Sequence, residues 1–353
     1  MPRSVVAALA SSAVLLLGGC AAVGPDRPAA PAAAEHFVDS TAAPGERIYV
    51  REKHSPGVTP ASARRAVIFV HGATFPGAPF DLPVPGYSWM DYVAERGDVA
   101  YYLDVRGYGS STRPKALDEP PQANPAPART ADAARDLADV VAFVRQRTGK
   151  PRVHLVGYSW GTAIAGAYTA QNNDRVAKLV LLAPVYSVKH AGYVRALQDP
   201  KNPGQINPAL GAYRTMTADQ ARARWDTQIP VPDKSAWREP RVFDALIATA
   251  MATDPKSGTH TPPRLRAPNG VLLDAWEIFN ERPVYDAGKI LVPTLVLRGA
   301  EDVESLDTDA RGLFARLASP IRRHITIANA SHFIGFEKNA WQVHREVQAF
   351  LEE

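Results

Sequence analysis

The pentapeptide Gly157-Tyr158-Ser159-Trp160-Gly161 sets a serine between two glycines. The apolar run Val153-His154-Leu155-Val156 precedes it, and small residues at helical spacing, Gly161, Ala165 and Ala170, follow it. A strand that turns at once into a helix strains the residue at the turn and pushes its side chain into the open. The flanking glycines admit close approach of neighbouring chain, and the positive end of the helix faces any anion that develops there. This setting suits Ser159 as a nucleophile, but a hydroxyl attacks poorly until a base takes its proton. His332, in Asn329-Ala330-Ser331-His332-Phe333, is the candidate base. It lies between the last strand pattern and the final helical pattern. The acid that orients it should follow a late strand. Leu295-Val296-Leu297-Arg298-Gly299-Ala300-Glu301-Asp302 supplies one, with Asp302 favoured and Glu301 and Glu304 as alternatives. The chain order serine, acid, histidine is one in which such triads occur.

The chain carries its own control. Gly86-Tyr87-Ser88-Trp89 repeats the first four residues of the motif, yet Met90 stands where the second glycine belongs and Pro83 and Pro85 replace the strand. Ser88 therefore reads as a helix N-cap. His71 competes with His332 but sits in a different segment, Val70-His71-Gly72, where it reads as a brace for the loop. That loop should supply one donor to a tetrahedral oxyanion, the backbone N–H of Ala73 or, next to it, Thr74. The N–H of Trp160 should supply the other. Losing one such donor costs roughly 3 kcal/mol of transition-state stabilisation.

The elements that must hold these groups are short apolar runs separated by helical patterns. Ala66–Val70, Val99–Val105, Val153–Val156, Lys178–Ala183, Val292–Leu297 and Ile325–Ala328 read as strands. Leu137, Val140, Val141 and Val144 recur at helical spacing after Thr130, a possible cap, and Gly149 and Pro151 end that helix. A final helix carries Val343, Val347, Phe350 and Leu351 on one face. Continuous apolar strands alternating with helices imply a parallel sheet covered on both sides. The alternation stops between Ala183 and Val292, a stretch too long for a plain loop, so it reads as a mainly helical insertion.

Taken with Asp104-Val105-Arg106-Gly107-Tyr108-Gly109-Ser110-Ser111, these motifs resemble the α/β-hydrolase superfamily in its usual order. The resemblance covers about residues 47 to 353. It implies an α/β fold with a mostly parallel, eight-stranded sheet and a lid after the sixth strand. The domain reading is a core of residues 46–185 and 290–353 with a lid at 186–289. The resemblance also favours Asp302, through its Gly-x-x-Asp spacing, and makes Asp104 and Arg106 supports of the site. Lid aromatics Trp225, Trp237, Trp276 and Phe279 are candidates to line a pocket, against the alternative that they pack the lid itself. The implied activity is hydrolysis of a small-molecule carboxylic ester or lactone through an acyl-enzyme, with no metal or organic cofactor. Proline iminopeptidases are the alternative. Their His-Gly-Gly-Pro-Gly run differs from His71-Gly72-Ala73-Thr74-Phe75 here. Epoxide hydrolases and haloalkane dehalogenases of this superfamily use an aspartate where this chain has Ser159. A non-catalytic envelope lipoprotein is the reading from another class, and the presence of all three triad residues speaks against it.

Composition narrows the rest. The chain is 46% hydrophobic and 22% charged, which suits a globular enzyme rather than a disordered chain. A net charge of +4 without a long basic run gives no support for a nucleic-acid partner. Arg3, an apolar run from Val5 to Leu17, and Leu17-Gly18-Gly19-Cys20 follow the order of a secretory signal and resemble a bacterial lipobox. Residues 1–19 then read as signal peptide. The single cysteine, Cys20, becomes the lipidation site and membrane anchor, and Ala21 after it fits an outer-membrane destination in the bacterial envelope. Residues 20–45, rich in Ala and Pro, read as a tether.

Overall fold

The computed structural model describes Met1 and residues 30–353. Cys20 and the signal segment lie outside the described residues. In chain order the strands are β1 (Ala32–Asp39), β2 (Arg47–His54), β3 (Ala66–Val70), β4 (Val99–Leu103), β5 (Val153–Tyr158) and β6 (Val176–Leu182). They continue with β7 (Tyr213–Met216), β8 (Leu265–Pro268), β9 (Thr294–Gly299) and β10 (Arg322–Ile327). Eight of them form one sheet in the order β1-β2-β4-β3-β5-β6-β9-β10. The pairs β1–β2 and β2–β4 are antiparallel, and the remaining pairs are parallel. This is the α/β-hydrolase fold.

Alternation along the central strands sorts side chains to two cores. Ile68 and Val70 of β3 pack with Leu137, Val140 and Ile164, from helices α2 (Thr130–Thr148) and α3 (Trp160–Thr169). On the opposite face, Val67 and Phe69 pack with Met90 and Val93 of α1 (Trp89–Ala94) and with Val343 and Phe350 of the C-terminal helix (Ala340–Glu352). Every residue of β3 and β4 is buried, which explains why these strands lack a polar face. Fully burying a side chain such as Ile68 stabilises the fold by roughly 1.5–3 kcal/mol.

Two sequence readings change at the amino side. Residues 32–39, read as tether, form β1 and pair with β2 along its whole length, from Ala32↔His54 to Asp39↔Arg47. The Ala/Pro-rich average hid a proline-free run whose backbone completes the sheet edge. Aromatic contacts fasten that edge, Phe37 on Tyr49 and His36 on Phe143. Thr130 is the first residue of α2 rather than its cap. Arg129 holds the cap position, its N–H donating to Asp132, and the Thr130 hydroxyl accepts from the indole of Trp160 at 2.9 Å. Ser88 does cap α1, accepting from the Asp91 N–H at 3.0 Å.

Between β6 and β9 the chain forms α4 (Ala191–Leu197), α5 (Ala218–Asp226), α6 (Pro240–Ala252) and α7 (Gly270–Ile278), with the antiparallel pair β7–β8 among them. A third apolar cluster joins this lid to the core: Trp225, Trp237, Phe243 and Leu246 pack on Leu82 and Phe333. After β9 come α8 (Asp307–Arg316) and, last, α9 (Ala340–Glu352).

Candidate active site

Parallel strands end at one edge of the sheet, and open α/β sheets bind ligands there. His71 follows β3, Ser159 follows β5, Asp302 follows β9 and His332 follows β10, so the topology gathers all four. Ser159 takes φ 56° and ψ −121°, a conformation that side-chain-bearing residues rarely adopt. Its N–H donates to the Leu182 carbonyl at 2.9 Å, tying the turn to β6. The neighbouring glycines are sterically required. A Cβ on Gly161 would lie 2.1 Å from the Val70 carbonyl oxygen, and one on Gly157 2.4 Å from that of Gly161.

The Ser159 Oγ lies 2.8 Å from Nε2 of His332, and Nδ1 of His332 lies 2.9 Å from Oδ2 of Asp302. The carboxylate fixes the tautomer: Nδ1–H donates to Asp302, which leaves the Nε2 lone pair facing the serine hydroxyl. Asp302 is itself held, its Oδ1 accepting from the N–H groups of Glu304 and Ser305, both at 2.8 Å. The His332 backbone is pinned from two sides. Its N–H donates to Gln228 of the lid at 3.0 Å, and its carbonyl accepts from the Tyr158 hydroxyl at 2.8 Å. All three members are buried. Such a chain can carry a proton from the hydroxyl to the imidazole.

Of the alternative acids, Glu301 is exposed and takes no part. Glu304 is nearer the chemistry than its sequence reading suggested. Its Oε2 lies 3.6 Å from Nε2 of His332, on the serine side of the ring. Arg224 of α5 grips it with Nε and Nη2 at 2.9 and 2.5 Å, and Gln228 donates to it at 2.7 Å. Burial alone would raise the Glu304 pKa, but the Arg224 guanidinium and His332 bring it down to about 2. Burial likewise disfavours the His332 imidazolium, and the charges of Asp302 and Glu304 outweigh it, so the His332 pKa lies above the ordinary imidazole value.

Trp160 and Ala73 both line the cavity beside Ser159, and the N–H of neither has an acceptor among the described residues. The Ala73 carbonyl accepts from the Tyr108 hydroxyl at 2.8 Å and from Nη2 of Arg214. A cavity of about 610 Å³ opens from Ser159, large enough for a drug-sized ligand. Its apolar wall comes largely from α7: Val271, Leu272, Ala275 and Ile278, followed by Phe279. Of the four lid aromatics proposed from sequence, Phe279 alone lines it. Trp225 stacks on Phe333 with ring centroids 4.6 Å apart and donates to Glu337 at 3.0 Å. Trp237 packs in the same cluster. Trp276 is buried away from the cavity, because α7 turns its 271/272/275/278 stripe inward and Trp276 lies off that stripe.

A family profile described as "alpha/beta hydrolase fold" matches residues 65–339. The chain belongs to the α/β-hydrolase family. Epoxide hydrolase A of Mycobacterium tuberculosis is 30% identical over 152 residues, 42% of this chain and 38% of that protein, so the match spans well under half of the relative. Epoxide hydrolase 3 of Xenopus tropicalis is 26% identical across 77% of this chain and 70% of its own length. The solved structure of E-2-(acetamidomethylene)succinate hydrolase aligns with a TM-score of 0.62 at 16% identity, covering 91% of this chain and 100% of that one. That likeness concerns the fold.

Within this α/β hydrolase, His71 and Asp104 act on the backbone and Arg106 through ion pairs. His71 accepts the Val105 N–H on Nε2 at 3.0 Å, and its Nδ1 lies 2.8 Å from the Gly72 carbonyl, so it is a neutral brace. Burial pushes its pKa down to about 4. Asp104 accepts from the N–H groups of Gly77 and Ser110 at 2.7 and 2.9 Å, which anchors the segments before and after β4. Arg106 pairs with Asp136 and Glu46. Sequence reasoning missed Arg214, Arg224, Gln228 and Tyr193 as cavity residues. They lie in the lid, where no motif fixes a position, and only the path of the folded chain brings them to the nucleophile.

Proposed function

We propose that the chain is a serine hydrolase that cleaves a carboxylic ester or lactone of a small molecule through an acyl-enzyme. The observation that carries this reading is the unbroken hydrogen-bond chain from Ser159 through His332 to Asp302 at the mouth of an apolar cavity. In this reading His332 takes the Ser159 proton as Oγ attacks the ester carbon. The resulting oxyanion is held by the N–H groups of Trp160 and Ala73. The imidazolium then gives its proton to the departing alkoxide, leaving the acyl group on Oγ. Water, deprotonated by His332, attacks the acyl carbon and releases the acid. No step calls for a metal or an organic cofactor.

Two of the relatives named above are called epoxide hydrolases. Opening an epoxide through a carboxylate nucleophile needs an acid at the elbow, and this chain presents a hydroxyl there. The test is a fluorophosphonate probe together with a panel of p-nitrophenyl esters and a proline arylamide. Stoichiometric labelling of Ser159, ester turnover, and loss of both in Ser159→Ala are the expected results. Folded wild-type protein that resists the probe and turns over no ester contradicts the reading. Turnover of the arylamide instead makes it a peptidase.

We further propose that lipidated Cys20 holds the enzyme at the bacterial envelope, at the outer membrane, where one acyl anchor set suffices without a spanning helix. The support is the order of residues 3–20. Membrane fractionation of Cys20→Ala should recover the protein in the soluble fraction, and retention in the membrane fraction overturns this.

A further inference from the structure

The charges that face the catalytic cavity are matched, with one exception. Arg224 is matched by Glu304, and Asp302, behind the cavity, is held by the Nδ1–H of His332. Arg214, on β7 of the lid, also lines the cavity and has no carboxylate within ion-pair distance among the described residues. Its guanidinium donates to three neutral oxygens: Nη1 to the Pro268 carbonyl at 2.7 Å and to Oδ1 of Asn269 at 3.2 Å, and Nη2 to the Ala73 carbonyl at 2.5 Å. A guanidinium has five N–H groups. Nε–H and one N–H of Nη2 make none of these bonds, and the only other polar side chain close by among the described residues is the Tyr108 hydroxyl, which is bound to the same Ala73 carbonyl. Arg214 is half-buried and enclosed by protein, and the surface it exposes belongs to the cavity.

The same pair of strands supplies a contrast. Arg266 on β8 is more fully buried, and Asp254 neutralises it, accepting from Nη2 at 2.7 Å and from Nε at 3.2 Å. Holding a guanidinium out of water without a counter-ion is costly, and burial does lower the Arg214 pKa. A cavity-facing cation that keeps unused donors is a ready site for a planar anion.

We propose that Arg214 binds a carboxylate of the substrate, so that the hydrolysed ester or lactone is an acidic one with an apolar remainder. This rests on the serine-hydrolase reading above. The placement is close to the chemistry. Arg214 grips the carbonyl of Ala73, the residue after Gly72, and a Cβ on Gly72 would lie 3.5 Å from Ser159 Oγ. Arg214 and Ser159 line the same cavity, so the bound anion would share it with the scissile carbonyl, while Val271, Leu272, Ile278 and Phe279 receive the apolar part. At the His332 side the Arg224 charge is already taken by Glu304, which leaves Arg214 as the favourable end.

The test compares each acidic ester with its methylated, neutral counterpart. In one pair the carboxylate is on the acyl side, as in mono-p-nitrophenyl succinate, and in the other on the alcohol side, as in 4-acetoxybutyrate. Wild type should favour the acidic member of at least one pair about tenfold or more in kcat/KM. Arg214→Gln should abolish that preference through KM. Arg214→Lys should retain part of it, and Arg222→Gln, on the outer face of the lid, should keep the wild-type ratio. Succinate should slow fluorophosphonate labelling of wild type and not of Arg214→Gln. The inference is overturned if wild type treats acidic and neutral members alike, or if the preference survives Arg214→Gln. It is also overturned if that variant loses acidic and neutral turnover equally through kcat, which would make Arg214 a positioning residue for the Ala73 loop. Probe labelling and ester turnover without any acid preference defeat this inference alone. Absence of both defeats the hydrolase reading with it.

Discussion

At the carboxyl edge of the sheet, Ser159 and Asp302 are held by backbone groups at strand ends, Leu182 of the neighbouring β6 for the first and Glu304 and Ser305 just after β9 for the second. In the lid, Arg214 and Arg224 are held by groups far away in sequence, Ala73 for one and Glu304 for the other. The edge is therefore a rigid device whose geometry follows from strand, turn and glycine. The lid is a fitted one, and its cavity residues are chosen by what they meet on closing over the edge. The chemistry should be insensitive to the lid's details, while selectivity should depend on them. Gln228 ties the lid to the base itself, accepting from the His332 N–H and donating to Glu304.

Changes at the edge should be the most severe. Ser159→Ala should lower ester kcat by a factor on the order of 10⁴ or more while the thermal midpoint stays near wild type. Asp302→Asn should follow, with a loss on the order of 10⁴-fold, because the amide can no longer hold the Nδ1–H tautomer. A loss of only a few-fold would move the role of acid to Glu304. In the lid, Phe279→Ala should change the preference among acyl chain lengths by roughly tenfold at near-normal stability. Trp225→Phe should leave that preference alone and lower urea stability by about 1–3 kcal/mol, because Glu337 loses a buried donor. The reverse pattern would erase the distinction between cavity wall and lid core. The smallest effect belongs to Glu304→Gln. The base form of His332 is required, so kcat/KM should rise with pH through a pKa above the ordinary imidazole value. Removing the Glu304 charge disfavours the imidazolium, so the acid limb should move to lower pH. A shift to higher pH would contradict the electrostatic account.

The same contrast decides what was legible beforehand. The strand at residues 66–70 was readable to its ends, because burial on both faces leaves a continuous apolar run. The elbow was readable because Gly157 and Gly161 have no room for a side chain. His71 and Asp104 were readable as supports, since their motifs are local. β1 was not legible, because an edge strand half open to solvent needs no apolar pattern and takes its order from pairing with β2. Arg214 was not legible for a related reason. It stands on a four-residue strand, and nothing in Tyr213-Arg214-Thr215-Met216 says that its guanidinium reaches Ala73. Trp225 and Trp237 show that aromatic type alone does not separate a pocket wall from a packed core.

The central claim is covalent: residue 159 carries the acyl group between the two half-reactions. Rapid-quench mass spectrometry with a slowly deacylating ester reads this directly. The account predicts the acyl mass on the peptide containing Ser159, appearing before product acid and vanishing as it accumulates. Ester turnover with no adduct, or with the adduct on Ser88 of the look-alike Gly86-Tyr87-Ser88-Trp89 segment, would contradict it.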